Sequence, residues 1–134
     1  MNAYQAYRTN QAQTATPGEL IVMLYQGAAR FVARGIEGIE AGDLEVAHTY
    51  LIKAQAVVAE LQSSLDVQTG GEVGRNLDAI YEFMLRRLVE ANLRKDAVPA
   101  REVEQLLRDL LPAWEQAVRE TNGMRARASV ALSA

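Results

Sequence analysis

The chain has no cysteine, a single histidine and three prolines among its 134 residues. Without thiols there is no disulfide, no cysteine nucleophile and no thiolate metal site, and the composition fits a reducing compartment. One histidine, His48, leaves paired-histidine metal sites and histidine-based acid–base catalysis without their usual members. Aromatic residues make up only 6%. Positive charge is not in excess either. With 14 basic and 17 acidic residues the formal charge is −3, so the cationic face that engages DNA or RNA is missing. The longest apolar run, Leu20 to Tyr25, falls far short of the roughly 20 residues that span a bilayer. Met1 to Ala15 is polar and rich in Gln, Asn and Thr, with no apolar stretch of signal-peptide length. These absences predict a cytoplasmic protein without nucleic acid, membrane insertion or cofactor.

What is present is an ordinary globular composition, 49% apolar and 23% charged, on a chain long enough for one core. Helix punctuation is legible. Thr16-Pro17-Gly18-Glu19 reads as an N-cap, a proline at the first helical position and a capping-box glutamate. The helix it opens is predicted to run to about Ala41, stopped by Gly42. Asp43 caps a second helix, to about Leu65. Gly70-Gly71 breaks the pattern, and a third helix follows from about Glu72 to Lys95. Pro99 opens a fourth, ending before Asn122-Gly123. No strand-like alternation or internal repeat is visible. Four helices of about 20 residues on short connections predict an all-α antiparallel four-helix bundle. In this reading residues 1–15 form an N-terminal arm, 16–121 the bundle and 122–134 a frayed, flexible tail. Pro112 falls inside the fourth helix, opposite the stripe Val103, Leu106, Leu107, Leu110, Trp114 and Ala117. There its missing N–H leaves the Arg108 carbonyl to water.

The helices differ in amphipathicity. At about 100° per residue, the apolar positions of the first sweep from Leu20 and Phe31 through Leu24, Ala28, Ile21, Ile39, Val32, Tyr25 and Ile36 to Val22. That arc is roughly 200°, where a surface helix shows about 100° or somewhat more. Such a helix covers two faces, and the second needs the chain's own arm, a second copy or a partner. The second helix is broad as well, with Val46, Tyr50, Ala54, Val57, Val58, Leu61 and Leu65. The third carries Leu77, Ile80, Tyr81, Met84, Leu85 and Leu88 as its stripe, with Phe83 and Leu93 off it.

Catalytic and metal motifs do not assemble. Glu45 and His48 have the Glu-x-x-His spacing of di-iron bundles, but such a site needs two of these motifs and two further inward carboxylates. His48 also falls beside Gln55 and Gln62 on the polar margin of its helix. Ser63 and Ser64 have no base to activate them. Gly70-Gly71 lacks the preceding strand and following Lys-Ser/Thr of a phosphate loop. The pattern predicts a binding protein with no catalytic residues and no metal.

Five stretches agree in order and spacing with one family. They are Thr14-Ala15-Thr16-Pro17-Gly18-Glu19-Leu20-Ile21-Val22-Met23-Leu24-Tyr25-Gln26-Gly27; Lys53 to Leu61 with Ser64-Leu65-Asp66; Gly70-Gly71-Glu72 with Asn76-Leu77 and Tyr81; Leu88 with Ala91-Asn92 and Asp96; and Trp114, together with the pair Tyr4 and Tyr7 near the start. Over about residues 3 to 118 the chain resembles the flagellin-specific export chaperones of the FliS family. Pro112 and the segment beyond Glu120 stand outside the pattern.

The resemblance implies a helical-bundle chaperone. It would bind the C-terminal polymerisation region of flagellin in the cytoplasm, prevent premature assembly and present the complex to the cytoplasmic part of the flagellar type III export gate. Residues expected at the client contact are Tyr4, Tyr7, Ile21, Leu24, Tyr25, Ala28, Val57, Leu61, Leu65, Leu77 and Tyr81, with the arm covering part of the groove before a client arrives. A client groove predicts a monomer or weak dimer. The alternative is a homo-oligomeric structural or adaptor bundle with no flagellin client. Which side of the first helix faces inward is left open by the periodicity.

Overall fold

A computed structural model of the chain describes residues 15–66 and 70–133. Four helices account for nearly all of them: α1 (Pro17–Glu40), α2 (Leu44–Ser63), α3 (Gly71–Arg94) and α4 (Ala97–Ser133). No strand occurs among the described residues, and no helix among them is long and apolar enough to cross a membrane. Successive helices pack side by side and α4 closes on α1, giving a four-membered ring. Cross-helix contacts fix the antiparallel sense. Phe31 meets Tyr50 between α1 and α2, Gln62 meets Asp78 between α2 and α3, and Arg87 meets Glu102 between α3 and α4. Glu40 and Glu19, at opposite ends of α1, reach Arg101 and Asn122 of α4.

The helix starts follow from local chemistry. Thr16 Oγ1 accepts from the Glu19 amide at 3.2 Å with Pro17 at the first helical position, and Asp43 Oδ1 accepts from the Val46 amide at 3.1 Å. Each satisfies an amide that the first helical turn leaves without a carbonyl partner. Thr16→Ala and Asp43→Ala are each expected to cost about 1 kcal/mol, and roughly twice that together because the sites are far apart. Urea unfolding curves check this. Between α1 and α2 the chain turns at Gly42, φ +71°, a backbone conformation strained for any residue with a Cβ. Lys95 takes the same left-handed region at the end of α3, φ +52°, and its ammonium donates to the Asn92 carbonyl at 2.7 Å.

The core runs the length of the ring, from Tyr25, Leu61, Tyr81 and Leu107 to Ile36, Leu51, Ala91, Ala97 and Ala100. At the turn end α1 and α2 approach so closely that a Cβ added at Gly38 would lie 2.6 Å from the Ala47 backbone nitrogen.

Two sequence expectations change here. The wide apolar arc of α1 is largely used inside the bundle, because a helix in a ring has two neighbours. Its Gly35–Gly38 edge packs on α2 and its Gly18 edge on α4, with Tyr25, Ala28 and Val32 inward between them. And α4 does not end before Asn122-Gly123; it continues to Ser133. A single glycine costs a helix only about 1 kcal/mol, and the alanines that follow favour helix, so the Asn-Gly step is too weak a stop. Helix α4 also runs on through Pro112, which is exposed on the outer side as expected.

Candidate binding site

One end of the bundle gathers the start of α1, the end of α2, the start of α3 and the second half of α4. At its centre Tyr25 and Tyr81 meet across the ring, their hydroxyls 2.6 Å apart and their rings edge-on. Trp114 of α4 lies against Tyr25 at 6.1 Å between ring centroids. Tyr25 and Tyr81 expose 0% and 1% of their surface. The hydroxyl pair is therefore a buried hydrogen bond that ties α1 to α3, and loss of one partner would strand the other.

Burial pushes both phenols above the ordinary tyrosine pKa of 10.0, for Tyr25 against the opposing effect of hydrogen bonds from Tyr81 and Trp114, for Tyr81 reinforced by the bond to Tyr25. A pKa raised on folding means the neutral form is favoured in the fold. The contribution is fully present below pH 10 and is lost as the pH rises above it, because the unfolded phenols ionise first. The expected result is a steeper loss of stability above pH 10 in the parent than in a Tyr25→Phe/Tyr81→Phe variant, read from Tm against pH.

The residues expected at a client contact fall into three groups. Tyr25, Ala28, Leu61 and Tyr81 are core, each with at most 1% exposed. They offer no surface in this conformation, because α2 and α4 flank the side of α1 that periodicity left unassigned. Ile21, Leu24, Val57, Leu65 and Leu77 are half-buried and pack against that core from outside. Tyr4 and Tyr7 lie outside the described residues. The nine described positions thus come together in one half of the bundle, as a central layer and its rim.

Sequence reasoning missed two hollows beside that rim. A cleft of about 370 Å³ opens between α1 and α4, lined by Ala15, Glu19, Val22, Met23, Glu115, Val118 and Arg119. A second, of about 310 Å³, is lined by Thr16, Pro17, Gly18, Trp114, Ala117, Val118, Thr121 and Asn122. Both sit where the start of α1 meets α4. Val22 and Met23 are half-buried there without joining the apolar layer that packs on the core. The surplus on α1 is therefore real but confined to its first turns.

The polar groups elsewhere are structural. His48 Nδ1 is 3.0 Å from the Asn92 amide nitrogen, and Asn92 Oδ1 accepts from Lys95 at 2.7 Å, so the buried Asn92 side chain is held at both ends. No group of three or more potential metal ligands occurs among the described residues.

Over residues 1–121 the sequence matches the family model of the flagellar protein FliS. The chain belongs to the FliS family. The flagellar secretion chaperone FliS of Bacillus subtilis is 41% identical over 117 residues, which is 87% of this chain and 86% of that protein. The Salmonella typhimurium protein of the same name is 40% identical, covering 77% of each chain. The Vibrio cholerae one is 29% identical across 91% of this chain and 93% of its own. The family match takes in the candidate site except Asn122 and stops at residue 121, so the last turns of α4 lie beyond it.

Proposed function

We propose that the protein is a cytoplasmic export chaperone for flagellin. It binds the C-terminal polymerisation region, keeps it from assembling early and supports its delivery to the flagellar type III export gate. The observation that carries this reading is the incompletely filled end of the bundle, where Val22, Met23, Val118 and Trp114 line two hollows in a chain of the FliS family. Relatives named flagellar secretion chaperones supply the class of client.

A polymerisation segment is amphipathic and unstructured when alone. Such a segment folds onto an apolar groove and covers a large area at moderate net affinity, since ordering it offsets part of the contact energy. The contact made through Val22, Met23, Val118 and Trp114 is apolar, so that part of it should depend little on salt. Tyr4 and Tyr7 belong to this reading as residues of an arm that occupies or completes the groove. The chain itself acts as a monomer or weak dimer that becomes one-to-one with its client.

Val22→Glu and Met23→Glu place a carboxylate on the groove without entering the core. Each is expected to weaken binding to the flagellin C-terminal segment by at least about 10-fold, corresponding to about 1.4 kcal/mol or more, with the helical circular dichroism unchanged. Titration calorimetry reads this directly. Parent-like affinity in both folded variants would remove this face from the contact.

A further inference from the structure

We propose that the last three turns of α4 form a basic ledge that seats an amphipathic helix with acidic flanks, belonging to the client. This rests on the flagellin reading above and adds a second, electrostatic contact to it.

Helix α4 outruns its neighbours. Asn122 meets Glu19 at the start of α1, and counting from the Arg87–Glu102 pair places the start of α3 level with about residue 118. From Asn122 to Ser133 the helix goes on for about 17 Å more at 1.5 Å per residue. The stripe that faces the core within the bundle does not stop there. Val103, Leu107, Leu110 and Trp114 are followed at alternating steps of four and three by Ala117, Thr121, Met124, Ala128 and Ala131. Such a 3.5-residue seam is the pattern that accepts another helix. Within the bundle the other helices fill it. Beyond, Met124 of the seam is 57% exposed, and Leu132, next to Ala131 and four residues from Ala128, is 89% exposed. A hollow of about 550 Å³ runs beside this stretch, lined by Gln116, Arg119, Glu120, Gly123, Met124 and Arg127.

Charge selects the occupant. Residues 122–134 hold Arg125 and Arg127 and no acidic residue, on a chain whose overall formal charge is −3. A second copy would bring an identical basic ledge against this one, and a three-turn pairing is short for a stable coil. Residues 1–14 hold Arg8 and no acidic residue, so the chain's own start brings positive charge as well. A seam carried on a helix end of net positive charge fits a helix whose apolar stripe is flanked by Asp or Glu.

The test compares the full chain with two full-length variants, Arg125→Glu/Arg127→Glu and Met124→Ser/Leu132→Ser, in titrations with the flagellin C-terminal segment at low salt and at about 0.5 M NaCl, where the Debye length falls to roughly 4–5 Å. Circular dichroism confirms the fold of each. The charge-reversal variant is expected to bind about 5- to 10-fold more weakly at low salt and equally to the parent at high salt. The serine variant is expected to bind more weakly at both. Equal affinity for all three overturns the ledge and leaves the client reading standing, whereas no binding even by the parent overturns both. A parent dimer that the charge reversal dissolves, or faster hydrogen exchange at residues 124–132 after deletion of residues 1–14, would assign the seam to a second copy or to the chain's own start, and would overturn the proposal.

Discussion

Gly38→Ala is expected to lower stability by about 2–4 kcal/mol, a fall in Tm on the order of 10 °C. In an exposed helix the same change would stabilise by up to about 1 kcal/mol, since alanine is the better helix former. Here the new Cβ would lie 2.6 Å from the Ala47 nitrogen and 2.9 Å from its Cα. Both are backbone atoms that no rotamer change can move, so α1 and α2 have to separate and the layers beyond, beginning with Leu51 on Gly35, lose contact with them. Gly38→Leu is expected to leave no folded protein. Gly123→Ala supplies the opposite sign within the same chain, because the nearest obstacle there is the end of the Arg127 side chain at 3.6 Å. Thermal melts of the three variants check the order.

Tyr25→Asp is the second large effect. The side chain is fully buried against Tyr81 and Trp114, and a carboxylate in that position has neither water nor a cation to pair with. The loss is expected to exceed about 4 kcal/mol, enough to abolish the helical circular dichroism at neutral pH in a domain of ordinary stability. Tyr25→Phe keeps the ring and removes only the hydroxyl, leaving the Tyr81 hydroxyl unpaired, so about 1–3 kcal/mol is expected. Adding Tyr81→Phe should cost less than the sum of the two single changes, because no stranded hydroxyl then remains. A conformation in which Tyr25 were the client contact would instead tolerate Asp and lose only binding.

The starts of α1 and α2 and the turn between them were legible in the sequence because each rests on chemistry within three or four residues, whereas α4 starts at Ala97, two residues before the Pro99 that the sequence offered. Thr16 to Glu19, Asp43 to Val46 and the left-handed turn at Gly42 need no knowledge of the rest of the chain. The end of α4 was not legible, because Asn122-Gly123 is a weak stop and the helix-favouring alanines after it outweigh it. Periodicity also gave the angular position of every α1 residue without saying which neighbour lies at which angle. The 200° arc therefore suggested a surface at Tyr25 and Ala28, whereas two flanking helices make that side the core. The rim residues Ile21, Leu24, Leu65 and Leu77 and the hollows beside Val22 and Val118 depend on where one helix starts relative to another along the bundle axis. A helical wheel does not contain that quantity. The seam on α4 is the partial exception, since its alternation of four and three from Val103 to Ala131 is written in the sequence and only its overhang is not.

We propose that this bundle holds the C-terminal segment of flagellin. The most direct measurement mixes the purified chain with that segment and follows size-exclusion chromatography with light scattering, together with circular dichroism of the mixture against the sum of its parts. A one-to-one complex and helix gained on mixing are expected, as the unstructured segment folds onto the open end of the bundle. A mixture that elutes as its separate components, or a stable dimer of the chain that the segment leaves unchanged, would contradict it.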